Sequence, residues 1–254
     1  MFIDSHTHLS KNDYENIEDV VIRAKDNNVN YLIVSCCTKN DILEGLSLLE
    51  KYDNIFLTIG LHPSEADIYS ENDLALIKDL VISNKKIIGI GEIGLDYYYG
   101  KENEDAQKEL FYKQLKLAEE LNKPVVIHSR DAVLDTQNML NKFKLKGIIH
   151  CFSGSLEVAN WYVKNEYLIG IGGVLTFKNS KLPAVVQELP LESIVLETDS
   201  PYLAPVPYRG SKNESKNIPI IAEEIARIKC ISIEQVGNVT TNNVITLFDL
   251  SDLL

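Results

Sequence analysis

Short apolar runs recur along the chain, separated by stretches in which charged and apolar positions alternate at helical spacing. Eight runs read as strands: "FIDSH", "YLIVSCC", "IFLTIG", "KIIGIGEIG", "KPVVIHS", "KGIIHCF", "YLIGIGG" and "SIVLETD". Several are continuous rather than alternating, the pattern of strands covered on both faces in a parallel sheet. Between them "ENIEDVVIRAKDNN", "KNDILEGLSLLEKY" and "NEDAQKELFYKQLKLAEELN" read as helices. The last spaces Leu110, Leu115, Leu117 and Leu121 among charges, which makes one amphipathic face. Eight strand–helix units in 254 residues have the size and rhythm of a (β/α)8 barrel. The expectation is therefore an α/β fold, one TIM barrel spanning residues 1–254 as a single domain, with its active site at the C-terminal ends of the strands. No linker, low-complexity tract or internal repeat interrupts it. The competing architecture, an open doubly wound sheet, calls for a glycine-rich first turn, and "SHTHLSKND" contains no glycine.

Polar residues fall at particular places in these runs. His6 and His8 end the first, Glu92 the fourth, His128 the fifth, His150 the sixth and Asp199 the eighth. In a strand, residues two apart point to the same side, so His6 and His8 project together. A solitary histidine at such a place is more often a satisfied rim residue than a ligand. Six imidazoles and carboxylates gathered at carboxyl ends are different, because burying them unpaired is costly. Divalent metal relieves that cost. Imidazole suits Zn, while carboxylates suit Mg and Mn. Six ligands exceed what one catalytic ion with an open position needs. Two ions about 3.5–4 Å apart would use them, with one carboxylate bridging; Glu92, from a strand between the others, is the expected bridge.

Charge narrows the choice of substrate handling. Lys and Arg total 25 against 37 Asp and Glu, a net charge of −12. Proteins that hold duplex nucleic acid by broad neutralisation are usually basic, so any polyanion here is expected to be gripped locally, by bound cations and a few placed basic side chains. Four cysteines without a CxxC spacing fit reduced thiols and a cytoplasmic location. No run reaches the ~18 apolar residues of a membrane span, no secretory leader is read, and neither a membrane nor an obligate protein partner is expected.

"DSHTHL", "GLHPSEA", "GIGEIGLDYYY", "PVVIHSRDA", "HCFSGS" and "LETDSPYLAPVPYRG" together resemble the TatD family of metal-dependent deoxyribonucleases, within the amidohydrolase superfamily. The motifs run in family order from Asp4 to about Pro219. The resemblance implies a (β/α)8 barrel and a divalent-metal hydrolase acting on nucleic-acid phosphodiesters. It assigns His6, His8, Glu92 and Asp199 to one ion, and Glu92, His128 and His150 to the other. In the last loop it matches Arg209, Gly210 and Asn213, and so implies Asn213 at the substrate.

Other side chains carry double readings. Arg209 and Lys212 lie after the eighth strand, where barrels often place phosphates, and arginine's planar fork matches a phosphate; a solvated loop is the plain alternative. Arg130 is read as a phosphate contact or a structural ion pair, and His62 as a substrate contact or a turn cap before Pro63. The three tyrosines of "DYYYG" stack on unpaired bases or form a lid. Glu197 is either second in line behind the metal or an inner barrel residue, and Cys151 a small apolar packer. The expected chemistry is hydrolysis by a water acidified at two ions. Asp199 and Glu92 are the catalytic carboxylates, and Asp199 takes the proton. A crowded rim favours exonuclease action on single-stranded DNA ends, and the favoured expectation for a deoxyribonuclease of the resembled type is 3′–5′. Competing readings within the superfamily are hydrolysis of a small amide, cyclic amide, phosphotriester or small phosphoester, and of mischarged aminoacyl-tRNA. The binuclear amide hydrolases often bridge their ions with a carbamylated lysine, whereas Lys85 and Lys86 lie at the opposite end of the strand from Glu92. A different class, a non-catalytic metal-stabilised binding module, is set against an intact ligand set.

Overall fold

The computed structural model describes residues 1–100 and 102–253; Lys101 and Leu254, which fall within the expected 1–254 domain, lie outside the described residues. All eight predicted runs are strands: β1 (Phe2–Thr7), β2 (Val29–Cys36), β3 (Ile55–Ile59), β4 (Ile87–Asp96), β5 (Val125–Arg130), β6 (Gly147–Ile149), β7 (Tyr167–Ile171) and β8 (Ile194–Leu196). Helices lie between and after them: α1 (Ile17–Asp26), α2 (Lys39–Lys51), α3 (Glu71–Ser83), α4 (Glu104–Glu120), α5 (Val133–Leu140), α6 (Leu156–Lys164), α7 (Leu182–Glu188), α8 (Ile218–Lys229) and α9 (Ile233–Phe248). The strands make one sheet in the order β1 to β8 with parallel pairing, and a parallel bridge from Thr7 to Ser200 joins its first and last members. This is the (β/α)8 barrel.

Two compact units can be described in turn: Met1–Val34 with the segment from His150 onward, and Ser35–Ile149. In the first, α9 packs on β1 and β8. Ile3, Ile169, Ile171, Ile194 and Leu196 form a buried core with Ile221, Ile225 and Val236, each such side chain contributing about 1.5–3 kcal/mol on burial. Just beyond the short β8, the N–H of Thr198 donates to Asp4 Oδ1 at 3.0 Å and its hydroxyl to Asp4 Oδ2 at 2.6 Å, while the N–H groups of Glu197 and Asp199 still donate to the backbone of Ile171 and His6. Asp4 is wholly buried, and burial pushes its carboxyl up to about 7 against these opposing hydrogen bonds. Asp199 thus falls past the strand, as does His150 past β6.

In the second unit, β4 runs on to Asp96, so Glu92 sits inside the strand rather than at its end. Gly94 has a φ of 150°, and an added Cβ would stand 1.9 Å from the His128 carbonyl oxygen; only glycine lets β4 and β5 approach there. On α4, Leu110, Leu115 and Leu117 are buried as their spacing predicts. Two buried glutamines on the same helix act as backbone clamps. Gln114 donates to Leu61 O (2.9 Å) and accepts from Leu61 N (2.8 Å), while Gln107 does the same for Asp96 (2.9 and 2.8 Å). They fix the segments that carry His62 and Asp96.

Candidate metal centre

In the first unit, β1 presents His6 and the chain just beyond presents His8. Their Nε2 atoms stand 3.3 Å apart, and both face one oxygen, Asp199 Oδ1, at 3.8 and 3.6 Å. The His6 ring stacks on His150 with centroids 3.9 Å apart and planes at 19°. His6, His150 and Asp199 each offer a ligand atom within 4.8 Å of the others. Asp199 adopts φ 53°, a left-handed conformation that aspartate tolerates better than most residues, and its N–H donates to His6 O at 3.0 Å. Burial pushes the Asp199 carboxyl up, but the hydrogen bond with His8 and the charges of His150, His6 and His8 outweigh it and hold the group below its ordinary range. Two imidazole nitrogens and a carboxylate oxygen at these separations fit the ligand sphere of one ion with bonds of about 2.0–2.2 Å. Behind them, the fully buried Glu197 accepts from Cys151 N at 2.6 Å with the Oε1 that lies 3.4 Å from His150 Nδ1.

In the second unit, Glu92 is buried and its Oε1 lies 2.7 Å from His128 Nδ1. His128 Nε2 is 3.0 Å from Asp96 Oδ2. His62, Asp96 and His128 form a further group of potential ligands, and His62 Nε2 stands 3.9 Å from Glu92 Oε1. The other His62 nitrogen accepts from Ser64 N at 3.2 Å. His62 therefore both caps the turn at Pro63 and faces this cluster. Burial raises the Asp96 carboxyl, while the His128 hydrogen bond, the Tyr98 N–H and nearby charges bring it below its ordinary range. Cys37, just past β2, places Sγ 3.3 Å from Glu92 Oε2. Burial first, then the Glu92 charge, pushes its thiol well above the usual value, so it is a donor to the carboxylate. Sequence reasoning passed over Asp96 and Cys37. The period of two from Glu92 through Gly94 was the available signal for Asp96; nothing local marked Cys37.

The chain matches the TatD related DNase family over residues 3–249. The chain belongs to this family. Bacillus subtilis YabD, an uncharacterized metal-dependent hydrolase, is 40% identical across 99% of this chain and all of its own length. The human deoxyribonuclease TATDN3 is 35% identical across 97% of this chain and 94% of its own. Among solved structures, YJJV, a TatD homolog from Escherichia coli K12, superimposes with a TM-score of 0.91 at 29% identity, covering 98% of both chains. The protein is thus a metal-dependent hydrolase of the TatD type, and its His, Asp and Glu clusters are its candidate metal ligands.

The remaining residues of this TatD-type hydrolase divide by what they touch. Arg209 is exposed, its guanidinium 4.3 Å from the centre of the Phe177 ring. Lys212 donates to Asp13 O and lies over the Tyr14 ring at 5.4 Å, so its ammonium is tied to the first β–α loop. Arg130 lies over the Tyr98 ring, 3.6 Å from its centre, a cation–π contact that neither of the two sequence readings foresaw. Asn213, expected at the substrate, lies in the loop after β8. It is fully buried, donates to Thr198 O at 2.8 Å and accepts from Glu214 N and Asn217 Nδ2. Its polar atoms hold the last loop against Thr198.

Proposed function

We propose that this TatD-type hydrolase is a deoxyribonuclease working as one catalytic domain, with a 3′–5′ preference for single-stranded DNA ends, in the cytoplasm. The observation that carries the reading is the convergence of His6 and His8 Nε2 on a single Asp199 oxygen, with Glu92 and His128 paired on strands of the same barrel. His6, His8, Glu92 and Asp199 are assigned to one divalent ion and Glu92, His128 and His150 to a second, drawn from Mg, Mn and Zn by the donor chemistry. The ions, when bound, supply Lewis acidity and a water acidic enough to attack at neutral pH.

The chain's own groups do the rest. Asp199, held between imidazoles, accepts the proton of the attacking water. His62 and Asp96 keep His128 oriented, as partners of a ligating imidazole do. Arg209 offers a fork to a phosphate. The family description and the human relative's printed activity support a nucleic-acid phosphodiester as substrate. The net charge of −12 supports local gripping over broad neutralisation. Four free cysteines support a reducing compartment, and no helix among the described residues is long and apolar enough to cross a membrane.

The test is incubation of purified protein with end-labelled single- and double-stranded oligonucleotides in Mg, Mn or Zn. A ladder shortening from the 3′ end of single strands is expected. Absence of cleavage with every metal, alongside hydrolysis of a small ester, would assign the chain to another substrate class.

A further inference from the structure

The loop after β4 carries three consecutive tyrosines with two different fates. Tyr97 is buried, its hydroxyl donating to Asp135 Oδ2 at 3.0 Å and its N–H to Arg130 O at 2.9 Å. Tyr98 and Tyr99 instead project, 55% and 86% exposed. Their rings meet edge to face at 4.9 Å and 87°. The Arg130 guanidinium lies 3.6 Å from the centre of the Tyr98 ring and 5.7 Å from that of Tyr99. An aromatic ring left this exposed gains little from burial, and ordering an arginine over it costs side-chain entropy. Two crossed rings and one guanidinium therefore stand together at the surface, next to the buried Tyr97.

The surface is wired to the site. Tyr98 N–H donates to Asp96 Oδ1 at 2.9 Å, and Asp96 Oδ2 is 3.0 Å from His128 Nε2. One carboxyl group therefore separates the platform from a proposed metal ligand. Single-strand binders combine such aromatic faces with local positive charge, and stacking is tolerant of base identity because every base has a π-face. A base inside a duplex hides both faces. We propose that Tyr98, Tyr99 and Arg130 form a stacking platform for an unpaired nucleobase of the strand being cleaved, which makes this loop the element that selects single-stranded ends. The proposal rests on the nuclease reading.

The test compares binding of a hydrolysis-resistant phosphorothioate oligothymidylate with that of an abasic phosphorothioate strand of equal length and charge, in Mg2+. The wild type should bind the base-bearing strand about tenfold or more tightly, within the worth of one stacked base. In the Tyr98→Leu/Tyr99→Leu double variant, checked for an unchanged melting temperature, that preference should collapse to equal affinity. Tyr99→Leu alone, at the more exposed position, keeps the test available should the double variant lose stability. Persistence of the preference in both variants, or equal affinity of the wild type for the two strands, overturns the platform. A wild type that hydrolyses methyl p-nitrophenyl phosphate but neither binds nor cleaves any oligonucleotide overturns the nuclease reading, and the platform with it. Cleavage of oligonucleotides by a protein that binds base-bearing and abasic strands equally overturns the platform alone.

Discussion

Replacing Glu197 by glutamine alters one fully buried group without changing its shape. Oε1 accepts from Cys151 N at 2.6 Å and stands 3.4 Å from His150 Nδ1, while Oε2 has no hydrogen-bond partner among the described residues. The amide can keep its carbonyl on the Cys151 N–H, but its NH2 then occupies the place of Oε2, a buried donor without a partner. Oε2 is already unpartnered, so the exchange replaces one unsatisfied buried atom by another and should change stability by no more than about 1 kcal/mol. For a chain of this size each kcal/mol lowers Tm by about 2–4 °C. The second effect concerns metal. A carboxyl behind a ligating histidine fixes the ring and strengthens it as a ligand, and losing it typically costs about 10–100-fold in metal affinity, or about 1.4–2.7 kcal/mol. Glu197→Gln is therefore expected to keep its Tm within about 2–4 °C and to bind Zn2+ about 10–100-fold more weakly. The affinity is read by competition with a chromophoric chelator on metal-stripped protein, and the melting temperature separately on the same protein. An unchanged Zn2+ affinity would refute the link to His150 and leave Glu197 a packing residue.

Asp199→Asn keeps an oxygen ligand but cannot take a proton; kcat on an oligonucleotide should fall by about 10²–10⁴-fold with metal occupancy, measured independently, retained, and full recovery at saturating metal would make Asp199 a ligand only. Asp73 closes a capping box at the start of α3, accepting from Ser70 Oγ (2.7 Å) and N (2.9 Å), and those bonds with Lys39 hold its carboxyl below the ordinary value. A lowered carboxyl adds stability above its unfolded value and loses it as pH falls through the folded one. Asp73→Ala should thus cost about 1 kcal/mol at neutral pH and progressively less in acid, as urea titrations at a series of pH values would read.

Much of the barrel was legible because its strands are continuous apolar runs of Ile, Val and Leu, and runs covered on both faces do not depend on distant partners for their reading. The amphipathic α4 was legible for the same reason: its leucines are buried where their spacing puts them. Strand lengths were not. β8 stops at Leu196, and Asp4, 194 residues away in sequence from Thr198, takes the N–H of Thr198 just beyond it. β4 runs on to Asp96, whose backbone Gln107 clamps. The candidate ligands were visible as polar residues in or just after the apolar runs. Cys37 reaches Glu92 across 55 residues, and Asn213 turns inward to Thr198. A loop asparagine and a second cysteine carry no local sign of such contacts, so composition and spacing alone did not show them.

Two ions serving one nuclease reaction is the central claim, and one titration addresses it. Metal-stripped protein at a concentration well above its metal Kd receives Mn2+ or Zn2+ in measured equivalents while hydrolysis of a labelled single strand is followed. The account predicts no cleavage without metal, and a rate that climbs to a plateau at two equivalents per chain. Cleavage in the stripped protein, or a plateau reached at one equivalent, would contradict it.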